Sequence, residues 1–494
     1  MEYISTRNNK ISASSSYCLL KGISEDGGLF VPESFPQFSL AQIAAMGELS
    51  YAERALSVLS AFLTDFSQEE LESCVKNAYM SGSFHSPEVA PLSRLSETES
   101  VLELWHGPTL AFKDMALQLL PHLLTTAKKK QGEQSEIMIL VATSGDTGKA
   151  ALEGFADVEG VRITVFYPEE GVSHTQKLQM VTQRGDNVVV GAIEGNFDDA
   201  QTGVKQIFSD KEFNELLLRH GVKLSSANSI NWGRLVPQIV YYFSAYADLC
   251  KCGRIELGDE VNFVVPTGNF GNILAAYYAK LMGLPVHKLI CASNCNNVLT
   301  DFIQTGTYNA KRPFHKTISP SMDILISSNL ERLLFHLTGN DDRITAELMN
   351  SLKQNGSYTV SPELMEKLHE TFVGGYATEE QTVQTIHDAY ARFGYIMDTH
   401  TAVAQSVYDR YAEQTGDQTV TVVVSTASAH KFPVDVVRAI DGRELDELDA
   451  AAALEDLGLE QPDEVRYLYM KPVLHDLVCK KDELKSVILA SVIG

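Results

Sequence analysis

The sequence predicts an α/β protein made of two units, each a parallel sheet with helices packed on its faces. The first observation is a series of apolar runs of strand length, joined by helix-forming stretches. It comprises Ile137-Met-Ile-Leu-Val-Ala, Val161-Arg-Ile-Thr-Val-Phe-Tyr and Val188-Val-Val-Gly-Ala-Ile. The second is another such series from near Ser229. Here Val261-Asn-Phe-Val-Val-Pro is followed by a helix from Asn272 to Met282, then by Lys288-Leu-Ile-Cys-Ala-Ser and, late in the chain, Val420-Thr-Val-Val-Val-Ser-Thr. Near-continuous apolar runs suit strands buried on both faces, and interleaved helices keep such strands parallel. The third is length, because 494 residues are too many for one simple core.

The elements divide the chain as follows. Residues 1–95 are expected to form a mixed N-terminal unit. It contains the Gly27-Gly-Leu-Phe-Val-Pro-Glu turn, and Leu40–Met46 and Tyr51–Leu63 have helical periodicity. Residues 136–225 make the smaller α/β unit, and residues 96–135 with 226–494 make the larger one. Between about 305 and 395 the sequence is more polar and mostly helical, and is read as an insertion in the larger unit.

Composition narrows the function. A hydrophobic fraction of 44% and a charged fraction of 21% are those of a globular protein. The formal net charge of −24 repels phosphate backbones, so no nucleic-acid partner is expected, and an anionic ligand needs a local basic site. No apolar run reaches the roughly 18 residues of a membrane span. The first ten residues lack the plan of a secretory signal, and a cytoplasmic location is expected. The seven scattered cysteines offer no metal-ligand spacing and are read as reduced thiols, so no metal site is expected.

Five segments carry candidate chemistry. In Glu103-Leu-Trp-His-Gly-Pro-Thr-Leu-Ala-Phe-Lys113-Asp, one lysine stands where a Gly-Pro turn enters an apolar helix. On spacing alone, a lysine that snorkels from an amphipathic helix is the favoured reading. A buried lysine that loses its proton would instead be a nucleophilic amine suited to Schiff-base chemistry. Thr143-Ser-Gly-Asp-Thr-Gly-Lys149 follows a strand and opens a helix; its glycines admit close backbone approach, and Thr143, Ser144 and Thr147 add hydroxyls. It superficially matches a nucleotide-binding loop but breaks that pattern at Thr143 and Ala150. Pro266-Thr-Gly-Asn-Phe-Gly-Asn272, also after a strand, is either a tight turn or a nest of N–H groups for a phosphate. Ser226-Ala-Asn-Ser-Ile-Asn-Trp-Gly-Arg234 is rich in donors, and Arg234 is the best basic residue for a phosphorylated ligand; a surface cap with an exposed arginine is the plainer alternative. Ser425-Thr-Ala-Ser-Ala-His-Lys-Phe-Pro433 ends the late strand in hydroxyls. His400, His106 and His174 are read as structural, with His106 nearest the pocket.

Taken in order, these segments resemble the threonine synthases, whose lysine segment reads His-Gly-Pro-Thr-x-x-Phe-Lys-Asp. The resemblance runs from about Gly27 to Pro433 and implies a tryptophan synthase β-like fold of type II, with two α/β domains around a pyridoxal phosphate cleft. It implies that Lys113 holds the cofactor and moves protons, and that Gly268, Asn269, Phe270, Gly271 and Asn272 cradle its phosphate. Asp146 would meet its 3′ oxygen, where many related enzymes carry Asn, and Thr426, or else Ser428, its pyridine nitrogen. Thr143, Ser144, Thr147, Asn228, Arg234 and Asn269 would bind the substrate, O-phospho-L-homoserine, for conversion to L-threonine and phosphate. The alternatives are another lyase of this fold, such as a serine/threonine dehydratase, and a non-catalytic relative that senses a metabolite. Monomer and homodimer both remain open, and the last sixty or so residues have no assigned role.

Overall fold

The computed structural model describes residues 1–143, 145–169 and 172–493. Each strand–helix series forms its own sheet. The five-stranded sheet runs in the order Leu477–Cys479, Val188–Ile193, Val161–Pro168, Glu136–Ala142, Val222–Ser225, and all its neighbours are parallel. The six-stranded sheet runs Phe372–Tyr376, Val286–Ser293, Val261–Pro266, Thr421–Ser425, Glu99–Glu103, Leu92–Arg94. Its strands are parallel except the last, which is antiparallel to Glu99–Glu103. Strands Val261–Pro266 and Thr421–Ser425 are buried throughout, as their unbroken apolar runs require.

Helix Trp232–Lys251 has all but three of its 20 residues buried, and Asn231 caps it by accepting from Gly233 N–H at 2.9 Å. The N-terminal unit packs against it. The Trp232 ring meets Tyr3 at 5.2 Å and Phe62 at 5.6 Å, edge-on. Arg54 grips Asp248 with both terminal nitrogens, at 2.9 and 2.7 Å, and donates to Met46 O at 2.7 Å. Among the described residues, no helix is long and apolar enough to cross a membrane.

Three expectations about boundaries are corrected. The stretch from about 305 to 395, expected as a mostly helical insertion, also supplies Phe372–Tyr376, the edge strand of the large sheet, paired with Val286–Ser293. The glycines of its Phe-Val-Gly-Gly-Tyr sequence are there for packing. A Cβ on Gly375 would stand 2.6 Å from Val407 Cγ1, and one on Gly374 3.2 Å from Thr300 Cα. The C-terminal tail, placed with the larger unit, instead adds Leu477–Cys479 to the small sheet beside Val188–Ile193. That strand has three residues, two of them exposed, so no apolar run announces it. Leu92–Arg94 belongs to the large sheet and not to the N-terminal unit, because it pairs with Glu99–Glu103.

Helix Asp146–Phe155 of the small unit lies against the short helix Asp114–Leu117 of the large one, and Gly154 permits the contact. An added Cβ there would overlap the carbonyl oxygen of Leu117, a backbone atom that cannot swing away. Gly154→Ala is expected to cost about 2 kcal/mol or more of stability, seen as a lower urea midpoint at unchanged slope.

Candidate active site

The candidate segments meet where the strands of the large sheet end, facing the start of helix Asp146–Phe155. Lys113 lies in a turn held by its neighbour Asp114, whose carboxylate accepts from Thr109 N–H at 2.8 Å and Thr109 Oγ1 at 2.7 Å. Gly107 folds over that carboxylate so closely that a Cβ would stand 2.5 Å from Asp114 Cβ. Burial pushes the Asp114 carboxyl up to about 6, against the two Thr109 hydrogen bonds.

Lys113 is only 8% exposed, so it does not snorkel. Its Nζ lies 3.3 Å from Asp146 Oδ2 and 3.4 Å from Ser321 Oγ. Burial lowers its pKa below the ordinary lysine value; Asp146 opposes this, and the positive charges of Lys431 and Arg234 add to it. The result is an amine that gives up its proton more readily than a surface lysine.

Asp146 is the hub. Gln176 Nε2 donates to its Oδ1 at 2.9 Å and Ser321 Oγ to its Oδ2 at 3.0 Å, while Lys431 Nζ stands 3.1 Å from Oδ1. Burial alone would raise this carboxyl, but Lys431, Lys113 and Gln176 outweigh it and hold it well below the usual range. The carboxyl is therefore ionised. Ser321 is positioned by its own N–H, which donates to His400 Nε2 at 3.1 Å. His400 Nδ1 must then carry the ring proton and donate to Asp398 Oδ2 at 2.7 Å, so the structural reading of His400 fits.

At the end of strand Val261–Pro266, Phe270 adopts a left-handed φ of 62° and helix Gly271–Leu281 begins at once. Asn269 O accepts from both N–H and Nδ2 of Asn329, at 3.1 and 3.0 Å, and Ser327 Oγ donates to Gly268 O at 2.7 Å. Gly268 lies under the Ser321 carbonyl, where a Cβ would stand 2.8 Å from its oxygen. Asn272 Oδ1 accepts from the hydroxyls of Tyr241 and Tyr242 at 2.7 and 2.5 Å, whereas its buried Nδ2 has no partner among the described residues. Such a loop, with free helix N–H groups and a spare buried donor, suits an anion.

Arg234 is a second, separate anion position. It is 3% exposed, its Nη1 donates to Ala227 O at 2.6 Å, and its Nε has no partner among the described residues. No carboxylate forms a salt bridge with it among those residues. Burial pushes its pKa down to about 10, against the pull of Asp114 and Tyr241. Asn228 lies half-buried in the preceding turn, and Thr147 half-buried on the first turn of helix Asp146–Phe155.

Several of the candidate hydroxyls are already engaged within the protein. Thr143 Oγ1 accepts from Gly145 N–H at 3.0 Å and Gly148 N–H at 2.9 Å and donates to Gly145 O at 3.2 Å, so it builds the loop. Ser428 Oγ is engaged by His430, through N–H at 3.3 Å and Nδ1 at 3.1 Å, which leaves Thr426 as the uncommitted hydroxyl at this strand end. Ser144 lies outside the described residues. Lys149 pairs with Glu153 at 2.6 Å on its own helix, consistent with the failed nucleotide-loop pattern.

Sequence reasoning missed Lys431, Ser321, Gln176 and Gln179. Lys431 sits in a quoted motif, and its single signal was a lysine in an otherwise small and apolar string. Ser321 comes from the polar stretch between the sheet strands and carried no signal.

Residues 88–426 match the family described as pyridoxal-phosphate dependent enzyme, and residues 2–79 match the threonine synthase N terminus. Threonine synthase of Pseudomonas aeruginosa is 42% identical over 442 residues, which cover 89% of this chain and 90% of that protein. The chain belongs to the threonine synthase family of pyridoxal-phosphate dependent enzymes. Human threonine synthase-like 1 is 42% identical over 467 residues, and the match takes in 91% of this chain but 62% of that longer protein. The crystal structure of PLP-bound threonine synthase from Brucella melitensis superposes over 100% of both chains, with a TM-score of 0.89 and 38% identity. Membership explains why Lys113, Asp146, the Gly268–Asn272 loop and Arg234 converge, although they come from four distant parts of the sequence.

The site also contains an acid-sensitive group. His430 is 1% exposed and its Nε2 has no partner among the described residues; burial pushes its pKa down to about 4. The unfolded ring binds its proton near 6.5, so between these values the unfolded state holds more protons and stability rises with pH. Acidification from pH 6.5 to 4 is expected to remove up to roughly 3 kcal/mol through this residue. Denaturant titrations at both pH values, with His430→Asn showing a smaller loss, check it.

Proposed function

We propose that this chain binds pyridoxal 5′-phosphate at Lys113 and converts O-phospho-L-homoserine and water to L-threonine and inorganic phosphate. The observation that carries the substrate assignment is Arg234, a buried guanidinium with no carboxylate partner among the described residues, separate from the loop suited to the cofactor phosphate. A protein of net charge −24 gains nothing from burying such a cation unless an anion joins it.

The residues fit the cofactor. The Gly268–Asn272 loop would hold its phosphate, with the spare Asn272 Nδ2 as one donor, and Thr426 would face its ring nitrogen. When bound, pyridoxal phosphate supplies an electron sink for charge that develops on the substrate carbons. Lys113 Nζ, with its lowered proton affinity, takes the proton from Cα and then one from Cβ; after phosphate leaves, one proton is returned to Cγ, which becomes the methyl group, and one to Cα once water has added at Cβ. Arg234 binds the phosphate group at Cγ and stabilises the added charge as the C–O bond breaks. Asn228 and Thr147 would orient it, and water then adds at Cβ.

A serine/threonine dehydratase would need no second anion position, which is why that reading is not favoured; neither is a metabolite sensor, which would need no reactive lysine. The seven free thiols support a reducing compartment such as the cytoplasm. The test is to supply the cofactor-loaded full chain with O-phospho-L-homoserine and measure phosphate and threonine together. Equal amounts of both are expected. Release of ammonia from serine or threonine, with no phosphate from O-phospho-L-homoserine, would overturn the substrate assignment in favour of a dehydratase.

A further inference from the structure

We infer that Lys431 is a positioning residue that neutralises Asp146 permanently, so that Lys113 can work as a free amine. The inference rests on the proposed role of Lys113. Lys431 is 1% exposed; its Nζ donates to Thr109 O at 3.0 Å and Gln179 Oε1 at 2.9 Å and stands 3.1 Å from Asp146 Oδ1 as an ion pair. Two hydrogen bonds donated and one carboxylate at ion-pair distance suit an ammonium ion, which has only donors to offer. Lys113 differs. Its contacts are Asp146 Oδ2 at 3.3 Å and Ser321 Oγ at 3.4 Å, both long for a charged donor.

The geometry is thus one carboxylate clasped by two lysines, one oxygen each. A single negative charge compensates a single ammonium. Lys431 is the better seated of the two, so Lys113 is the one that can release its proton without leaving Asp146 unpaired. Other charged groups face the pair as well. Arg234 adds positive charge near Lys113, His400 bears on Asp146 in the same sense as the lysines, and Asp114, though turned into the Thr109 turn, is a second carboxylate that Lys431 and Arg234 feel. Gln179 and the Thr109 carbonyl give Lys431 two neutral acceptors, which hold its position without competing for its charge.

Removing the charge of Lys431 would leave Asp146 with Lys113 as its sole ammonium partner. The Lys113 proton would then be held more tightly, by about one pH unit or more at this separation. The rate at which the cofactor-free full chain forms its visible Schiff-base band with pyridoxal 5′-phosphate reads this directly, because only the neutral amine attacks. The rate is followed across pH, and the bend in the profile marks the Lys113 proton. Lys431→Gln is expected to move the bend up by about one pH unit or more, and Lys431→Arg to leave it near the wild-type position. Asp146→Asn combined with Lys431→Gln removes the neutral pair as a whole and should bring the bend back toward wild type, which also decides the matter if the single variant does not fold. A bend that stays in place in Lys431→Gln, or a double variant shifted upward as far as the single one, would overturn the inference. A wild-type protein that forms no band at all would instead overturn the reading of Lys113 as the cofactor lysine.

Discussion

Lys113→Ala is expected to abolish turnover while leaving the fold intact. The loss should exceed about 10³-fold, because on the proposed reading this one amine would serve both as attachment point and as mover of protons. The fold should survive for a reason visible in the site. Asp146 keeps Lys431 at 3.1 Å and the Gln176 amide at 2.9 Å when Lys113 is gone, so no buried carboxylate is stranded. The usual penalty for removing one member of a buried ion pair is therefore small. Thermal unfolding should show a near wild-type transition, and parallel assays of phosphate and threonine should show neither product above background. Activity remaining above one part in a hundred would mean that another group moves the protons.

The α/β character was legible because parallel strands buried on both faces must be written as unbroken apolar runs, and Val261–Pro266 and Thr421–Ser425 are written so. Lys113, Asp146, the Gly268–Asn272 loop and Arg234 could be found for a related reason, since each follows a strand or opens a helix, where ligands gather in such sheets. What stayed hidden has no periodicity to betray it. Leu477–Cys479 is three residues long, and Phe372–Tyr376 carries two glycines that serve close packing against Val407 and Thr300. Thr143 shows a different limit. A hydroxyl beside a ligand loop can serve either ligand or loop, and only its contacts with Gly145 and Gly148 decide for the loop. Lys431 and Ser321 converge on Asp146 from 285 and 175 residues away in sequence, a closeness that only folding creates.

Arg234→Met separates function from stability. The guanidinium is almost fully buried with an unpartnered Nε, so before substrate arrives the protein bears the cost of a desolvated cation. Methionine has similar reach and no charge, and the variant is expected to be more stable than the wild type by about 1–3 kcal/mol in denaturant titrations of the substrate-free protein. The same change should lower kcat/KM for O-phospho-L-homoserine by about 10²–10³-fold, the usual range when one member of a buried, hydrogen-bonded charge pair is lost. Both kinetic constants should move. On the proposed reaction the substrate phosphate would be bound in the ground state, which bears on KM, and would gain charge as it leaves, which bears on kcat. Arg234→Lys keeps the charge but loses the fork, so it should recover part of the binding and little of the rate. With the cofactor loop filled, inorganic phosphate should raise the unfolding temperature of the wild type and not that of Arg234→Met, since only a ligand that prefers the folded state stabilises it. If the methionine variant were less stable and kept full kcat/KM, Arg234 would be a structural arginine, and the second anion position, with the phosphorylated substrate it implies, would have to be sought elsewhere in the cleft.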